Sequence, residues 1–330
     1  MIESDLSIQP LQASLDAKIG VAFAPLDTDP DVLAQLLADK RSINTRRAYE
    51  RDINDFVRTM TGQPASPDNL LEFLHLEEKQ AIAVVLKYKA KLIERGLKEA
   101  SVNRSIAAIK SLVETARKVG VCCYTLKEVR GEKVQGYRDT TGIAPELFQR
   151  VLGLCDRATL SGKRDYALLR LLWTNALRRN EVSQLNVADF DPEDRKLRIL
   201  GKGRGTQAEL VDLDPTTVEA IATWLSVRGR EHPDAPLFTS LDFANSGRRL
   251  TGDGIRKIVV RLCEKAGVKK QMSPHRIRHS AITAALDATD GNVRKVQKLS
   301  RHRRIDTLMI YDDNRAKDQR EISNLLGGMI

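Results

Sequence analysis

The stretch RDYALLRLLWTNAL, Arg164 to Leu177, is an almost continuous apolar segment with the length of a helix. A helix that is hydrophobic all round has no face to offer water, so other elements must surround it. At fourteen residues it is well short of the roughly 20 that cross a bilayer. The same holds for AIAVVL, Ala81 to Leu86, the longest unbroken run elsewhere. The segment therefore predicts the centre of a protein core, and a chain of 330 residues has material for two such cores.

Around this core the pattern is mostly helical. DVLAQLLADK follows Asp29-Pro30. SINTRRAYERDINDFVRTM has Ser42 or Asn44 as N-cap and Ile43, Tyr49, Ile53, Phe56 and Val57 at helical spacing. EKQAIAVVLKYKAKLIERG closes on Gly96, a C-cap residue, and EASVNRSIAAIKSLVETARKVG puts Val102, Ile106, Ile109, Leu112 and Val113 on one face. These four helices predict an all-α domain over residues 31–122. Residues 1–30, acidic and interrupted by Pro10, Pro25 and Pro30, read as a flexible arm. Residues 123–142, with RGEKVQGYRDTTG, read as a linker.

From 143 to 330 the chain predicts a second domain, mainly α with a small β-sheet (α+β). KLRILGKGRGTQAELVDL reads as two strands about a glycine-rich turn, and helical segments surround it. The last of these, in KDQREISNLLGGMI, is amphipathic through Ile322, Leu325 and Leu326.

Charge narrows the partners. Residues 1–40 hold seven acids against Lys18 and Lys40, so the +10 of the whole chain is carried as +15 by the other 290 residues. A basic body of this kind favours a polyanion, nucleic acid first. The cysteines Cys122, Cys123, Cys155 and Cys263 lack the paired spacing of a zinc site and read as small buried hydrophobes in a reducing compartment. The N-terminus has no basic region before an apolar one, so a cytoplasmic, nucleoid-associated protein without membrane contact is expected.

Several polar residues interrupt otherwise apolar segments. Arg178 follows the core helix, with Glu181 three residues on; Lys202 lies in the tip GKGRG; His275 and Arg278 are one turn apart in SPHRIRHS; His302 ends one helix and Tyr311 lies in the last. Each alone has an ordinary reading: a helix-end ion pair, a solvated turn, a dipole-facing histidine, a core aromatic. GKGRGT lacks the spacing of a phosphate-binding P-loop.

Taken together, in order and spacing, ALRRNE, GKG, SPHRIRHS and a histidine nine residues before a tyrosine resemble the motifs of the tyrosine recombinases, the phage-integrase and Xer-like family. NTRRAYERDINDF and SVNRSIAAIKSL are similar to that family's core-binding domain, so the resemblance covers about residues 30–325. It implies a site-specific recombinase whose catalytic residues are Arg178, Lys202, His275, Arg278, His302 and the nucleophile Tyr311. The arginines would clamp the scissile phosphate, with His302 adding a hydrogen bond. His275 would act as base or proton relay, and Lys202, or Arg204 in its place, as the acid for the leaving 5′-oxygen. Glu181 would orient the arginines.

No cofactor is implied, since the 3′-phosphotyrosine link conserves the energy of the broken bond. The resemblance further implies double-stranded recombination sites, a tetramer on two of them joined by exchange of the C-terminal helix, whose other reading is a cap on its own domain, and an accessory recombinase or directionality factor. Thr45, Arg46, Asn103, Arg104 and Lys110 are its DNA-binding candidates in the first domain; Arg256, Lys257, Arg294 and Lys298 are those in the second. Two other readings remain: a type IB topoisomerase that relaxes DNA as a monomer, and a silent DNA-binding regulator.

The chain departs from the family at three places. Ala176 stands where glycine is common, with little effect expected. Arg301 replaces the glycine before His302, where it alters the turn and adds a DNA contact. The hairpin tip is about two residues longer and lacks a second lysine.

Overall fold

A computed structural model describes residues 31–134, 142–201, 207–229, 232–315 and 318–329, with backbone alone at 312–315 and 318–322. The acidic arm 1–30, Lys202, Arg204 and Ile322's side chain lie outside the described residues. The chain divides into two compact units, Met1–Gln135 and Gly136–Ile330.

Among its described residues the first unit packs five helices: α1 (Val32–Asp39), α2 (Ile43–Thr61), α3 (Pro67–Leu74), α4 (Glu78–Glu94) and α5 (Glu99–Lys118). Ser42 caps α2 by accepting the amide of Thr45, which settles the choice between Ser42 and Asn44. Gly96 takes φ +71 just past α4, the left-handed conformation expected there. α3 was not expected. It is short, and its start is fixed by a capping box between Ser66 and Asn69, with Pro67 in the first turn. It brings Phe73 edge-on to Phe56, 4.9 Å between centroids, and Phe56 meets Tyr88 at 5.1 Å. Ile43, by contrast, is 60% exposed and outside the core.

The segment after α5 corrects the expected linker. Tyr124, Leu126 and Val129 are buried in the first unit's core. The amide side chain of Asn103 grips the backbone of Glu132, donating to its carbonyl at 2.9 Å and accepting from its N–H at 2.6 Å. Polar composition hid these three anchoring apolar residues. Residues 135–141 lie outside the described residues.

In the second unit α6 (Pro145–Gly153) is followed by the core helix α7 (Leu160–Thr174), which contacts α9 (Pro215–Arg228) extensively. Leu168, Leu169, Leu171 and Leu172 are fully buried, each worth about 1.5–3 kcal/mol relative to exposure. The polar residues in α7 are satisfied internally: Arg164 bonds Asp165 at 2.7 Å and the carbonyl of Thr239 at 3.1 Å. Beyond α7 come α8 (Arg179–Gln184) and an antiparallel sheet ordered β1 (Phe190–Asp191), β2 (Lys196–Leu200), β3 (Ala208–Asp212), with Leu197 opposite Val211. Leu197 and Ile199 point into the core from β2.

The rest is helical: α10 (Gly252–Lys265), α11 (Pro274–Asp287), α12 (Val293–Ser300), α13 (Asp306–Arg315) and α14 (Asp318–Gly327). Where the described chain of this unit begins, Gly142 lies against α11; a Cβ there would stand 2.0 Å from Ser280 Oγ. Cys155 and Cys263 are buried as expected, but Cys122 is half-buried and Cys123 exposed, because they lie where α5 has ended. No helix among the described residues is long and apolar enough to cross a membrane.

Candidate active site

The site forms where the C-termini of α7 and α12 meet the start of α11. α7 stops at Thr174, three residues before the apolar sequence does, because Ala176 takes φ +44. α12 stops the same way, with Arg301 at φ +55. These are the two positions where the family commonly has glycine, and both require left-handed backbone. A side chain there costs roughly 1–2 kcal/mol. The expectation of little effect from Ala176 is thereby corrected.

Arg278, on α11, spans the two turns. It is 1% exposed, and its guanidinium donates to the carbonyl of Ala176 and to that of Ser300. Burial, with Arg178 and Arg301 close by, pushes it down to about 9, so it remains charged at neutral pH. Arg178 caps the start of α8. Its backbone N–H donates to Glu181 Oε2 at 2.8 Å and its Nη1 to Glu181 Oε1 at 2.6 Å. Glu181 is 2% exposed. Burial raises its carboxyl, but Arg301 and Arg178 outweigh that and hold it below the ordinary value.

Arg301 does not point outward to a DNA contact. Its side chain is 4% exposed and donates to Glu181 Oε2 at 3.0 Å, the carbonyl of Asn175 at 3.0 Å and that of Leu299 at 2.9 Å. The left-handed turn swings it inward, which the sequence could not foretell.

Tyr311 is both a core aromatic and part of this site. It is 4% exposed, in a small cluster with Ala176, Ala281, Ile282, Leu286, Val296 and Leu308. Its ring centroid lies 5.0 Å from that of His279 and 6.0 Å from that of His302. His279 is buried, and its Nε2 is 2.8 Å from Nε2 of the exposed His275, four residues earlier on the same helix face. That spacing was the available signal for His279, which the motif reading passed over.

Burial, with His275 and Arg278, pushes His279 down to about 3. Burial, with Arg278 and Arg178, pushes His302 down to about 4. Both are neutral at pH 7. His302 Nε2 is 3.3 Å from Arg278 Nη2. A guanidinium can only donate, so Nε2 accepts and the proton sits on Nδ1.

Five of the six expected catalytic residues therefore gather in one place, with Glu181. Lys202 is outside the described residues, but Gly201 and Gln207, the described residues that flank it in sequence, line an open cleft of about 880 Å³ together with Arg178, Arg301, His302 and Arg294. Lys298 also lines it, whereas Arg256 and Lys257 pair with Asp253.

In the first unit Arg46 is exposed, and Thr45 and Lys110 are half-buried. Arg104 makes a bidentate pair with Asp52 at 2.7 and 3.0 Å, and Asn103 holds Glu132.

Comparison with known proteins agrees along both units. Residues 143–318 match the phage integrase family and residues 33–120 its N-terminal SAM-like domain. Tyrosine recombinase slr0733 of Synechocystis sp. is 50% identical over 301 residues, 91% of this chain and 96% of that protein. A tyrosine recombinase of Synechococcus elongatus is 49% identical over 309 residues, 94% and 96% of the two. Among solved structures, XerH bound to a palindromic difH substrate in a post-cleavage complex is similar in fold, with TM-score 0.65, 21% identity, and 89% of this chain and 84% of that one covered. A lambda integrase dimer bound to a COC′ core site gives TM-score 0.61 at 13% identity, covering 93% and 97%.

Proposed function

Because this chain belongs to the phage integrase family and is a tyrosine-type site-specific recombinase, we propose that Tyr311 breaks the DNA strand while Arg178 and Arg278 hold the phosphate under attack. The observation that carries this reading is the meeting of Arg178, Arg278, His275, His302 and Tyr311 around two helix C-termini, although 133 positions separate the first from the last. A silent regulator has no need of that convergence.

The phenolic oxygen of Tyr311 adds to phosphorus, and the bond to the 5′-oxygen breaks. The products are a 3′-phosphotyrosine and a free 5′-hydroxyl. A phenol of ordinary pKa about 10 must give up its proton during attack. His275 receives it, with His279 between the two as relay. Lys202, or Arg204, returns a proton to the 5′-oxygen. Guanidinium groups suit the phosphate because they stay charged and bind two oxygens at once. When Arg278 Nη2 leaves it for the phosphate, His302 changes tautomer, its one proton passing from Nδ1 to Nε2, and Nε2 then donates to the phosphate. Attack by a 5′-hydroxyl from another duplex then reverses the chemistry and rejoins the strands.

Phosphate contacts from Thr45, Arg46 and Lys110 in the first unit, and from Arg294 and Lys298 at the cleft, position the duplex. Assembly to a tetramer on two sites runs through α14 and the turn after it, where Leu325 and Leu326 of the helix and Met329 beyond it are 60%, 58% and 77% exposed.

The test is covalent capture. Nicked, labelled fragments from around the chain's own gene are incubated with the protein and run on denaturing gels. A protein-linked 3′ end that disappears in Tyr311→Phe is expected. Tight, salt-sensitive DNA binding with no linked product would favour the regulator, and relaxation of any plasmid by a monomer would favour a topoisomerase.

A further inference from the structure

Arg301 occupies a backbone conformation that favours glycine, yet its side chain is held by three hydrogen bonds. Three of its hydrogen bonds run to Asn175, Leu299 and Glu181, and among the described residues its buried Nε has no acceptor. The contact with Glu181 is the informative one. Glu181 offers Oε1 to the side chain of Arg178 and Oε2 to Arg301, so one buried carboxylate stands between two guanidiniums. Arg178 is thus held by one edge, while its side chain, 29% exposed, lines the cleft.

The charges extend the point. Arg178 and Glu181 alone would cancel, leaving Arg278 as the one uncompensated cation of this group. With Arg301 present, Glu181 is shared, and the four side chains carry a surplus of two positive charges. A phosphodiester brings one negative charge into the cleft. Addition of the tyrosyl oxygen, with its proton removed, raises this to two on the phosphoryl oxygens. A positive surplus among these four that exceeds the single charge of the bound diester acts on the rate more than on binding.

We infer that Arg301 is a positioning residue for strand cleavage: by taking one oxygen of Glu181 it fixes Arg178 through the other and keeps the positive surplus for the transferring phosphoryl group. This rests on the reading of the cleft as a phosphoryl-transfer site. It assigns Arg301 no contact with the phosphate itself.

Arg301→Gly is the informative variant because it removes the side chain while suiting the left-handed turn, so the fold is kept. With the nicked fragments at saturation, its single-turnover rate of adduct formation is expected to fall about 10- to 100-fold, less than the roughly 100- to 1,000-fold cost of a donor that touches the reacting group, because Arg301 acts through Glu181, while Kd for the DNA changes less than about 3-fold. Arg301→Lys should recover part of the rate. In a Glu181→Gln background, Arg301→Gly should cause almost no further loss, because the path through Glu181 is already cut.

An unchanged rate in Arg301→Gly, or a full further loss in the Glu181→Gln background, would overturn the inference. If the wild type forms no adduct, the fault lies with the functional reading. The inference is then tested by inorganic phosphate: it should raise the wild-type melting temperature at several-fold lower concentration than it does for Arg301→Gly, and equal responses would refute it.

Discussion

The first unit and the active site both use arginine–carboxylate pairs, but with opposite arithmetic. In the first unit the two acids that reach the core, Asp52 and Asp55, are answered. Asp52, 3% exposed, is held bidentately by Arg104, and Asp55 by Arg95 and the hydroxyl of Tyr88. In the site one carboxylate, Glu181, answers both Arg178 and Arg301, while Arg278 donates to two backbone carbonyls instead. Matched pairs close a fold. Unmatched cations, kept in place by carbonyls at two helix ends, leave the structure ready for an anion.

This contrast can be broken most forcefully at Glu181. Glu181→Gln leaves two largely buried guanidiniums without their carboxylate and should cost about 3–5 kcal/mol, the range for breaking a buried ion pair. Asp52→Asn should cost less, about 1.5–3 kcal/mol, and leave the cleavage rate on saturating DNA unchanged. Calorimetry of both variants, beside cleavage rates, checks the order. Equal losses would mean that the site is as closed as the first unit.

Acid should separate the two units next. His279 and His302 are pushed down to about 3 and about 4, against about 6.5 in an unfolded chain. Between pH about 6.5 and 4 the unfolded state therefore binds more protons, and stability falls with pH. Asp55 works lower. Burial raises its carboxyl, but hydrogen bonds from Arg95 and Tyr88 bring it below the usual value, so its contribution is kept above about pH 4 and lost beneath. Both tryptophans, Trp173 and Trp224, lie in the second unit. Tryptophan fluorescence should thus report unfolding that shifts from pH 7 to 5, and His279→Gln with His302→Gln should flatten the shift. A pH-independent midpoint in the wild type would contradict this.

A smaller effect is expected where the first unit meets DNA. Arg46→Ala and Lys110→Ala should each lower the slope of log K against log salt by about 0.9, the value for one phosphate contact. Filter binding across a salt series measures it, and an unchanged slope would remove that residue from the interface. The smallest effect is at the α7 turn. Ala176→Gly relieves the left-handed strain and should stabilise the second unit by up to about 1 kcal/mol, a few degrees in Tm; a loss would mean that the Ala176 methyl packs more favourably than its backbone is strained.

How far the sequence disclosed all this differs by residue. Periodicity was enough for the buried face of α5 and for Ile53, Phe56 and Val57 of α2, though not for Ile43 at its first turn, and Gly96 marked a helix end through the backbone it permits. The hairpin was legible because β2 alternates. α3 was missed because eight residues with a cap give a weaker signal than a long stripe. The linker was begun too early because Tyr124, Leu126 and Val129 are spaced too irregularly to read as an element, yet they reach the core. In the site, the motifs named five residues, Arg178, His275, Arg278, His302 and Tyr311, that the fold brings together. They could not show that Ala176 and Arg301 share one backbone problem, or that Arg301 faces inward, since both follow from where two helices end.

The most direct measurement is the chemical address of the link. The trapped protein–DNA complex should be digested with nuclease and trypsin and analysed by mass spectrometry. The account predicts a 3′-nucleotide phosphoryl group on Tyr311, within the peptide IDTLMIYDDNR that begins at Ile305. A link at any other residue, or a stable adduct formed by Tyr311→Phe, would contradict it.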